Sequence, residues 1–171
     1  SSICADYFMT APLHSVVEKT TSKSTAVLID LLKAAEKLEI RDIVIPCVDQ
    51  SSIQTEHSRD RFKEVILSIV PEAEKYQINL SLETDLNPFQ FEKLLSDLNS
   101  PCVRVNYDIG NSAALGYDYK DELNAYAERI SDIHIKDREL GGSSVTLGFG
   151  NADIPGFFKY LDKFNYQGPF I

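Results

Sequence analysis

The sequence predicts an α/β fold, a (β/α)8 barrel that is incomplete because only about six of the eight strands are present. Short apolar runs alternate with amphipathic helical segments along the 171 residues, without a linker or a low-complexity segment. This alternation indicates right-handed βαβ units and a parallel sheet. The strand count alone favours an open doubly wound sheet, whereas polar residues at successive strand ends favour the barrel. We therefore expect a single partial barrel domain over residues 1–171, lacking N-terminal strands and the end of the last strand.

Short apolar segments are predicted to form the strands of this sheet. Asp42–Val48 is β-branched and apolar almost throughout, as expected for a strand that is buried on both faces. The predicted strands are, in order, Ser2–Ala5, Asp42–Val48, Ile78–Leu82, Cys102–Tyr107, Ile130–Ile135 and the beginning of one at Gly168–Ile171.

Helical periodicity fills the segments between the predicted strands. Apolar residues from Val27 to Leu38 recur at helical spacing, with charged residues on the opposite face. The later predicted helices are Phe62–Tyr76, Phe89–Leu98, Tyr119–Ile130 and Pro155–Phe164. Asn87 and Pro88 suit a helix cap and first turn, and Pro71 is expected to start or kink the last part of its helix.

The composition limits the classes of partner. The chain has 17 Lys and Arg against 26 Asp and Glu, a formal net charge of −9, which argues against nucleic acid as a partner. No apolar run approaches the roughly 18–20 residues of a membrane span, and the N-terminus does not resemble a signal peptide. Cys4, Cys47 and Cys102 lie far apart in apolar stretches and are interpreted as reduced core thiols, which favours a cytoplasmic location.

Three successive predicted strands end close to a side chain that could bind a metal ion. Glu83 follows the strand that contains NLSL, Asp108 follows VRVNY, and His134 lies in DIHIKDR. Strand ends of a parallel barrel converge on one mouth, and two carboxylates with an imidazole suit Mn²⁺, Mg²⁺, Co²⁺ or Zn²⁺. Each acid alone is more typical of a turn or a helix cap, and His134 alone is more typical of a core histidine. From the spacing, both interpretations remain open.

Several motifs resemble the sugar phosphate isomerase/epimerase family, the xylose isomerase-like TIM barrels. They are Asn106–Asp108 followed by Gly110 and Asn111, then DIHIKDR, LGFGNADIPGFFKYL and YQGPFI, with weaker similarity before residue 40. The resemblance implies a metal-dependent isomerase or epimerase that acts on a ketose or a sugar phosphate, with ketose 3-epimerases as the most similar group. It also implies an enediolate formed by proton abstraction next to a chelated carbonyl.

The resemblance assigns roles by position in this sequence. It implies that Glu83, Asp108 and His134 bind a divalent metal ion, with Mn²⁺ as the first expectation, and that Glu83 is also the catalytic base. It implies a fourth ligand, a glutamate shortly after a segment like Gly168–Ile171, where this sequence ends. The predicted substrate-binding residues are Asn111, Lys136, Asp137 and Arg138. A homo-oligomer is expected, since many barrels of the family form dimers or tetramers.

Other functions are compatible with parts of this pattern. A dehydratase of a keto-inositol would use the same ligands and the same proton abstraction. An incomplete barrel could also bind a sugar or a protein without turnover. A nuclease related to the apurinic endonucleases is disfavoured, because those sites are rich in histidine and this acidic chain has three His.

Overall fold

A computed structural model describes residues 2–171, in which five parallel strands form one sheet in the order β1-β2-β3-β4-β5. The strands are β1 Ser2–Cys4, β2 Asp42–Cys47, β3 Asn79–Thr84, β4 Val103–Asp108 and β5 Ile130–His134. A doubly wound sheet reverses its strand order at a switch point, whereas a barrel adds each strand beside the preceding one. The observed order therefore confirms the barrel topology that the polar strand ends predicted.

Helices connect the strands and cover one face of the sheet. They are α1 Tyr7–Thr10, α2 Glu18–Lys37, α3 Glu56–Tyr76, α4 Pro88–Leu98, α5 Ile109–Leu115, α6 Tyr119–Tyr126 and α7 Ile154–Leu161. The Asn87 side chain accepts a hydrogen bond of 2.9 Å from the Gln90 amide, which confirms the predicted cap of α4. Pro71 lies inside α3, which continues to Tyr76, so of the two predicted alternatives the start of a new helix at Pro71 was wrong, and the kink stays a prediction. None of the helices in residues 2–171 has the length and apolar character that a membrane crossing requires.

The segment after α7 runs beside β5, as the sequence predicted for Gly168–Ile171. Ile133 and Phe170 form a parallel bridge, and the Ile171 amide donates a hydrogen bond of 2.9 Å to the Ile133 carbonyl. In return, the Ile135 amide donates one of 2.8 Å to the Ile171 carbonyl. The last residues therefore extend the sheet beyond β5. A separate antiparallel pair, β6 Asp137–Arg138 with β7 Ser144–Val145, follows β5.

The sheet is strongly curved. Ser81 of β3 and Ser131 of β5 lie on strands separated by β4, yet their hydroxyl oxygens are 2.8 Å apart. In a flat sheet, strands two positions apart are separated by about 9.5 Å, so the inward side chains can meet only if the sheet curls around them. A register shift between Val105 and Asn106 leaves Ser131 without a partner on β4, and such bulges increase bending.

The hydrophobic core lies between the sheet and its helices. Alternate residues of each strand point toward the helices, among them Leu80, Leu82, Val103 and Val105, each at most 1% exposed. The opposite residues face the concave side, where polar side chains such as Asp42, Ser81, Asn106 and Asp132 bond to one another. Cys47 and Cys102 are buried as predicted, whereas Cys4 is exposed, so its assignment as a core thiol was wrong.

Candidate active site at the carboxyl ends of strands three to five

Glu83, Asp108 and His134 lie at one edge of the sheet. Asp108 and His134 are the last residues of β4 and β5, and they are paired in the register of those strands. Glu83 is the penultimate residue of β3, on the other side of β4. Side chains alternate along a strand, so these three inward positions follow from the strand register. The structure thus brings the three predicted ligands to adjacent strand ends.

The Glu83 carboxylate is buried beside a second carboxylate. Its side chain is 8% exposed, and Oε1 accepts a hydrogen bond of 2.5 Å from the Asn111 amide nitrogen. Burial, followed by the negative charge of Asp108, raises the pKa of Glu83 to about 7, while Lys136 and Asn111 oppose the shift. A carboxylate with a pKa near neutrality is suited to general base catalysis, because it can both accept and release a proton.

Asp108 joins the end of β4 to the beginning of α5. Its Oδ1 caps the helix by accepting a hydrogen bond of 2.8 Å from the Asn111 amide, while Oδ2 lies 3.3 Å from the Lys136 ammonium. Asp108 is therefore a helix cap, one of the two roles that the spacing allowed, and its carboxylate still lies at the end of β4. Gly110 permits this packing, because a Cβ there would lie 2.9 Å from Lys136 Cγ.

Asn111 connects the acidic and basic parts of the site. Its Nδ2 donates to Glu83, while its Oδ1 accepts hydrogen bonds of 3.2 Å from Lys136 Nζ and 2.8 Å from Arg138 Nη1. Arg138 also donates 2.7 Å and 3.1 Å hydrogen bonds to the Gly142 carbonyl. A cavity of about 190 Å³ opens beside Asn111 and Arg138. Three of the predicted substrate-binding side chains are thereby brought together.

Asp137 is placed differently from the other predicted substrate-binding residues. It is fully buried, and its oxygens accept hydrogen bonds of 2.9 Å, 2.8 Å and 3.0 Å from the amides of Gly148, Gly150 and Ala152. Burial opposes ionisation, yet backbone amides, with that of Ala152 foremost, hold the pKa of the carboxyl below its usual value. Both oxygens face the loop after β7. Its substrate contact stays a prediction.

The metal-binding prediction can be compared with the donors at these strand ends. Within residues 2–171, no three His, Cys, Asp or Glu side chains are grouped closely enough to hold a metal ion. Two carboxylates and an imidazole nevertheless fit a hard to borderline divalent ion in their chemistry. The positive charge beside Asp108 comes from Lys136. Burial and then repulsion by Asp108 raise the pKa of Glu83, and a bound cation would relieve the repulsion.

Sequence reasoning missed a buried carboxylate behind this site. Glu122 of α6 is 4% exposed and accepts hydrogen bonds from the hydroxyl groups of Ser112, Tyr107 at 2.6 Å and Tyr126 at 3.0 Å. Burial raises the pKa of its carboxyl, and the three hydroxyl donors oppose this. One sequence signal existed, because Glu122 and Tyr126 are spaced to share a helix face with the buried Leu123 beside them.

His14 is a second buried titratable side chain outside the predicted site. It is 7% exposed and packs edge-on against Phe62, with ring centroids 6.0 Å apart. Burial lowers the pKa of His14, and the positive charge of Arg61 adds to this, whereas a backbone contact at Ser52 opposes it. The imidazole is thus a buried group near the ends of the first strands.

The comparisons with known proteins agree with the barrel topology. A family model described as a xylose isomerase-like TIM barrel matches residues 1–171. A protein of Escherichia coli (strain K12), provisionally named L-ribulose-5-phosphate 3-epimerase SgbU, is 31% identical over 183 residues, covering 99% of this chain and 64% of that protein. L-ribulose-5-phosphate 3-epimerase UlaE of Salmonella typhi is 28% identical over 177 residues, covering 99% of this chain and 62% of the relative.

Solved structures of low sequence identity share the fold. A structure of L-ribulose 3-epimerase has a TM-score of 0.78 at 17% identity and covers 99% of this chain and 58% of its own. The IOLI protein with a bound zinc atom has a TM-score of 0.79 at 18% identity and covers 92% of this chain and 62% of its own. The chain spans 64% and 62% of the length of the two curated relatives.

Proposed function

The chain belongs to the xylose isomerase-like TIM barrel family, and from this premise we propose that it carries the proton-transfer site of a ketose 3-epimerase. The observation that carries the proposal is the Glu83 carboxylate, which is buried at a strand end, bonded to Asn111 and raised in pKa to about 7. The names of the two curated relatives support L-ribulose 5-phosphate or a similar ketose phosphate as the substrate class.

Glu83, Asp108 and His134 would hold a divalent metal ion, with Mn²⁺ as the first expectation. Such an ion, when bound, supplies a Lewis acid that polarises the substrate carbonyl and acidifies the adjacent C–H bond. Glu83 then takes the proton from that carbon. The Asn111 amide holds Glu83 in one orientation, because a hydrogen bond of 2.5 Å leaves the carboxylate little freedom to rotate.

The two cations beside Asn111 are suited to the oxygens of a phosphorylated sugar. Lys136 Nζ and Arg138 Nη1 both contact Asn111 Oδ1, so their positive charges converge at the mouth of the site. Lys is a point charge and Arg a planar fork, and both are common phosphate ligands. The amides of Gly141 and Gly142 already donate to the carbonyls of Ala114 and Glu139, so the two side-chain cations carry this part of the proposal. Asp137 anchors the loop at Gly148–Ala152 by accepting hydrogen bonds from three of its backbone amides.

Inversion at carbon requires a second proton donor on the opposite face of the substrate. We assign one base, Glu83, within residues 2–171, and the family resemblance implies a second glutamate after a segment like Gly168–Ile171. Proton exchange at a single carbon therefore tests the role of Glu83 separately from epimerisation. A homo-oligomer and a cytoplasmic location accompany this proposal as predictions.

Solvent deuterium exchange into ketoses and ketose phosphates, with Mn²⁺ added, tests the function. Exchange at C3 should occur with the protein that carries this sequence, and Glu83→Gln should lower it by about 10²–10⁴-fold. Glu128→Gln, which removes an exposed carboxylate from the turn before β5, is the matched control and should retain the rate. Exchange at C1 alone would indicate an aldose–ketose isomerase, and loss of water would indicate a dehydratase. No exchange with any sugar would refute the proposal.

A further inference from the structure

Glu122 forms a buried support for the two residues that flank the proton-transfer site. Tyr107 immediately precedes Asp108, and Ser112 immediately follows Asn111. Both hydroxyl groups donate to the same oxygen of Glu122, Oε2, and Tyr107 also contacts the Ser112 hydroxyl at 3.2 Å. One carboxylate therefore ties the end of β4 to the first turn of α5.

We propose that Glu122 is a positioning residue of the candidate site, which fixes Asp108 and Asn111 through Tyr107 and Ser112. The inference rests on the proposed function, since it assigns Glu122 a role in the geometry of that site. Glu122 acts through its neighbours and does not contact Glu83 in the described residues.

The cost of burying this carboxylate argues against a purely structural role. Its partners are three hydroxyl groups and include no Lys, Arg or His side chain, so the negative charge has no ion pair. Burying a charge is expensive, and apolar side chains of similar volume often stabilise such a position more effectively. The carboxylate fixes the orientation of its partners, because its oxygens hold hydroxyl groups from β4, α5 and its own helix α6 at fixed points.

The support is next to the site rather than remote from it. A small cavity of about 20 Å³ separates them, with room for about one water molecule. Its lining includes Glu83, Asp108, Asn111, Tyr107, Ser112 and Glu122. Asp108 also caps α5 through the Asn111 amide, so a shift of that first turn changes both side chains together. Misplacing a catalytic group by about 1 Å can lower a rate by about 100-fold.

Single hydroxyl deletions provide a matched test. Tyr107→Phe and Ser112→Ala each remove a donor to Oε2, on the side of the site. Tyr126→Phe removes the donor to Oε1, which comes from the same helix as Glu122 and does not flank a site residue. We expect Tyr107→Phe and Ser112→Ala to lower the kcat for C3 exchange by about 10–100-fold, and Tyr126→Phe to change it by less than about twofold. The free energy of unfolding, measured for each variant, separates stability from positioning.

A second readout does not depend on activity. The side-chain amide of Asn111 gives its own signals in ¹H–¹⁵N NMR spectra, and its short bond to Glu83 makes them sensitive to the position of α5. These signals should move in Tyr107→Phe, Ser112→Ala and Glu122→Gln, and stay in place in Tyr126→Phe. If all variants, or none, shift the signals, Glu122 has no positioning role. If the signals move as expected but the wild-type protein exchanges no sugar proton, the proposed function fails and the support remains.

Discussion

The Asn111 amide donates a hydrogen bond of 2.5 Å to the Glu83 carboxylate, although the two residues are 28 positions apart. The oxygen of the same amide accepts from Lys136 and Arg138. The side chain thus separates a negative group from two positive groups, with each end of its dipole facing the opposite charge. An amide is suited to this position because it combines a donor and an acceptor in one rigid plane.

Asn111→Asp should abolish this separation without a change in volume. The new carboxylate would keep its attraction to Lys136 and Arg138 but would repel Glu83, and two carboxylates so close cannot both ionise readily. We expect Glu83 to retain its proton and the rate of C3 exchange to fall by about 100-fold or more. Asn124→Asp, at an exposed amide that contacts Tyr160, is the control. Full activity of Asn111→Asp would contradict the orienting role of the amide.

Lys136→Met should have opposite effects on stability and on metal affinity. The Lys136 ammonium neutralises Asp108, which is 3% exposed in its side chain, and it opposes the rise in the pKa of Glu83. Without it, the metal-free protein should lose about 1–2 kcal/mol of unfolding free energy. The Mn²⁺ affinity should rise about 3- to 10-fold, because a competing positive charge is gone.

Calorimetry with Mn²⁺ and denaturant titrations in the presence of a chelator measure these two quantities for Lys136→Met. Lys33→Met removes a cation from a surface pair with Asp30 and serves as the control. Weaker Mn²⁺ binding in Lys136→Met would show that Lys136 supports the metal site and does not compete with it.

The strands and their order could be predicted because their signal is local. After Asp42, the residues of the Asp42–Cys47 strand are apolar on both faces, so consecutive residues in the sequence already indicate that the strand is buried. Element ends were less accurate, since the predicted helix Tyr119–Ile130 stops at Tyr126 and continues as a 3-10 turn. Where α6 ends before β5 depends on tertiary packing, and the local sequence pattern carries no information on that packing.

The placement of the three candidate ligands at strand ends could also be predicted, since parallel strands place successive carboxyl ends at one edge. This rule was enough to place Glu83, Asp108 and His134 at the same edge of the sheet. Helix spacing pairs Glu122 with Tyr126 only, whereas Tyr107 of β4 and Ser112 of α5 meet Glu122 only in three dimensions, so the sequence pattern does not contain the full support. The burial of His14 likewise depends on a ring from α3 that is distant in sequence.

Asp137→Asn should loosen the loop at residues 148–152. The carboxylate accepts three backbone amides, whereas an asparagine amide nitrogen would face amide donors and leave them unpaired. We expect a loss of about 1–3 kcal/mol in unfolding free energy and faster hydrogen exchange at Gly148, Gly150 and Ala152. Asp153→Asn, at the cap of α7, is the comparison. If Asp137→Asn instead weakens substrate binding with unchanged loop exchange, Asp137 contacts substrate as the sequence suggested.

His14 should make stability fall at mildly acidic pH. Burial lowers the pKa of His14, so the folded state binds its proton less tightly than the unfolded state does. Its contribution to stability is complete well above the usual histidine pKa of about 6.5 and is lost as the pH falls below it. His14→Gln should therefore lose less unfolding free energy than wild type between about pH 7.5 and pH 5.5. Equal losses in the two proteins, or the same effect from exposed His57→Gln, would refute this.

Gly110→Ala tests how closely α5 must approach the Lys136 segment. A Cβ at position 110 would lie 2.9 Å from Lys136 Cγ and 3.0 Å from the Lys136 backbone carbon. The backbone carbon cannot rotate away, so either the first turn of α5 or Lys136 must shift. Overpacking of this kind typically costs about 1–3 kcal/mol, against a helix propensity gain of about 1 kcal/mol for alanine.

The expected result for Gly110→Ala is therefore a net loss of stability together with a larger loss of C3 exchange, since Asp108 and Asn111 flank the shifted turn. Ala113→Gly, in the same helix and away from Lys136, is the control, because it changes propensity without adding a contact. Denaturant unfolding and exchange rates, measured on both variants, distinguish the two effects. Gly110→Ala with wild-type activity and higher stability would mean that the close approach is not required by the site.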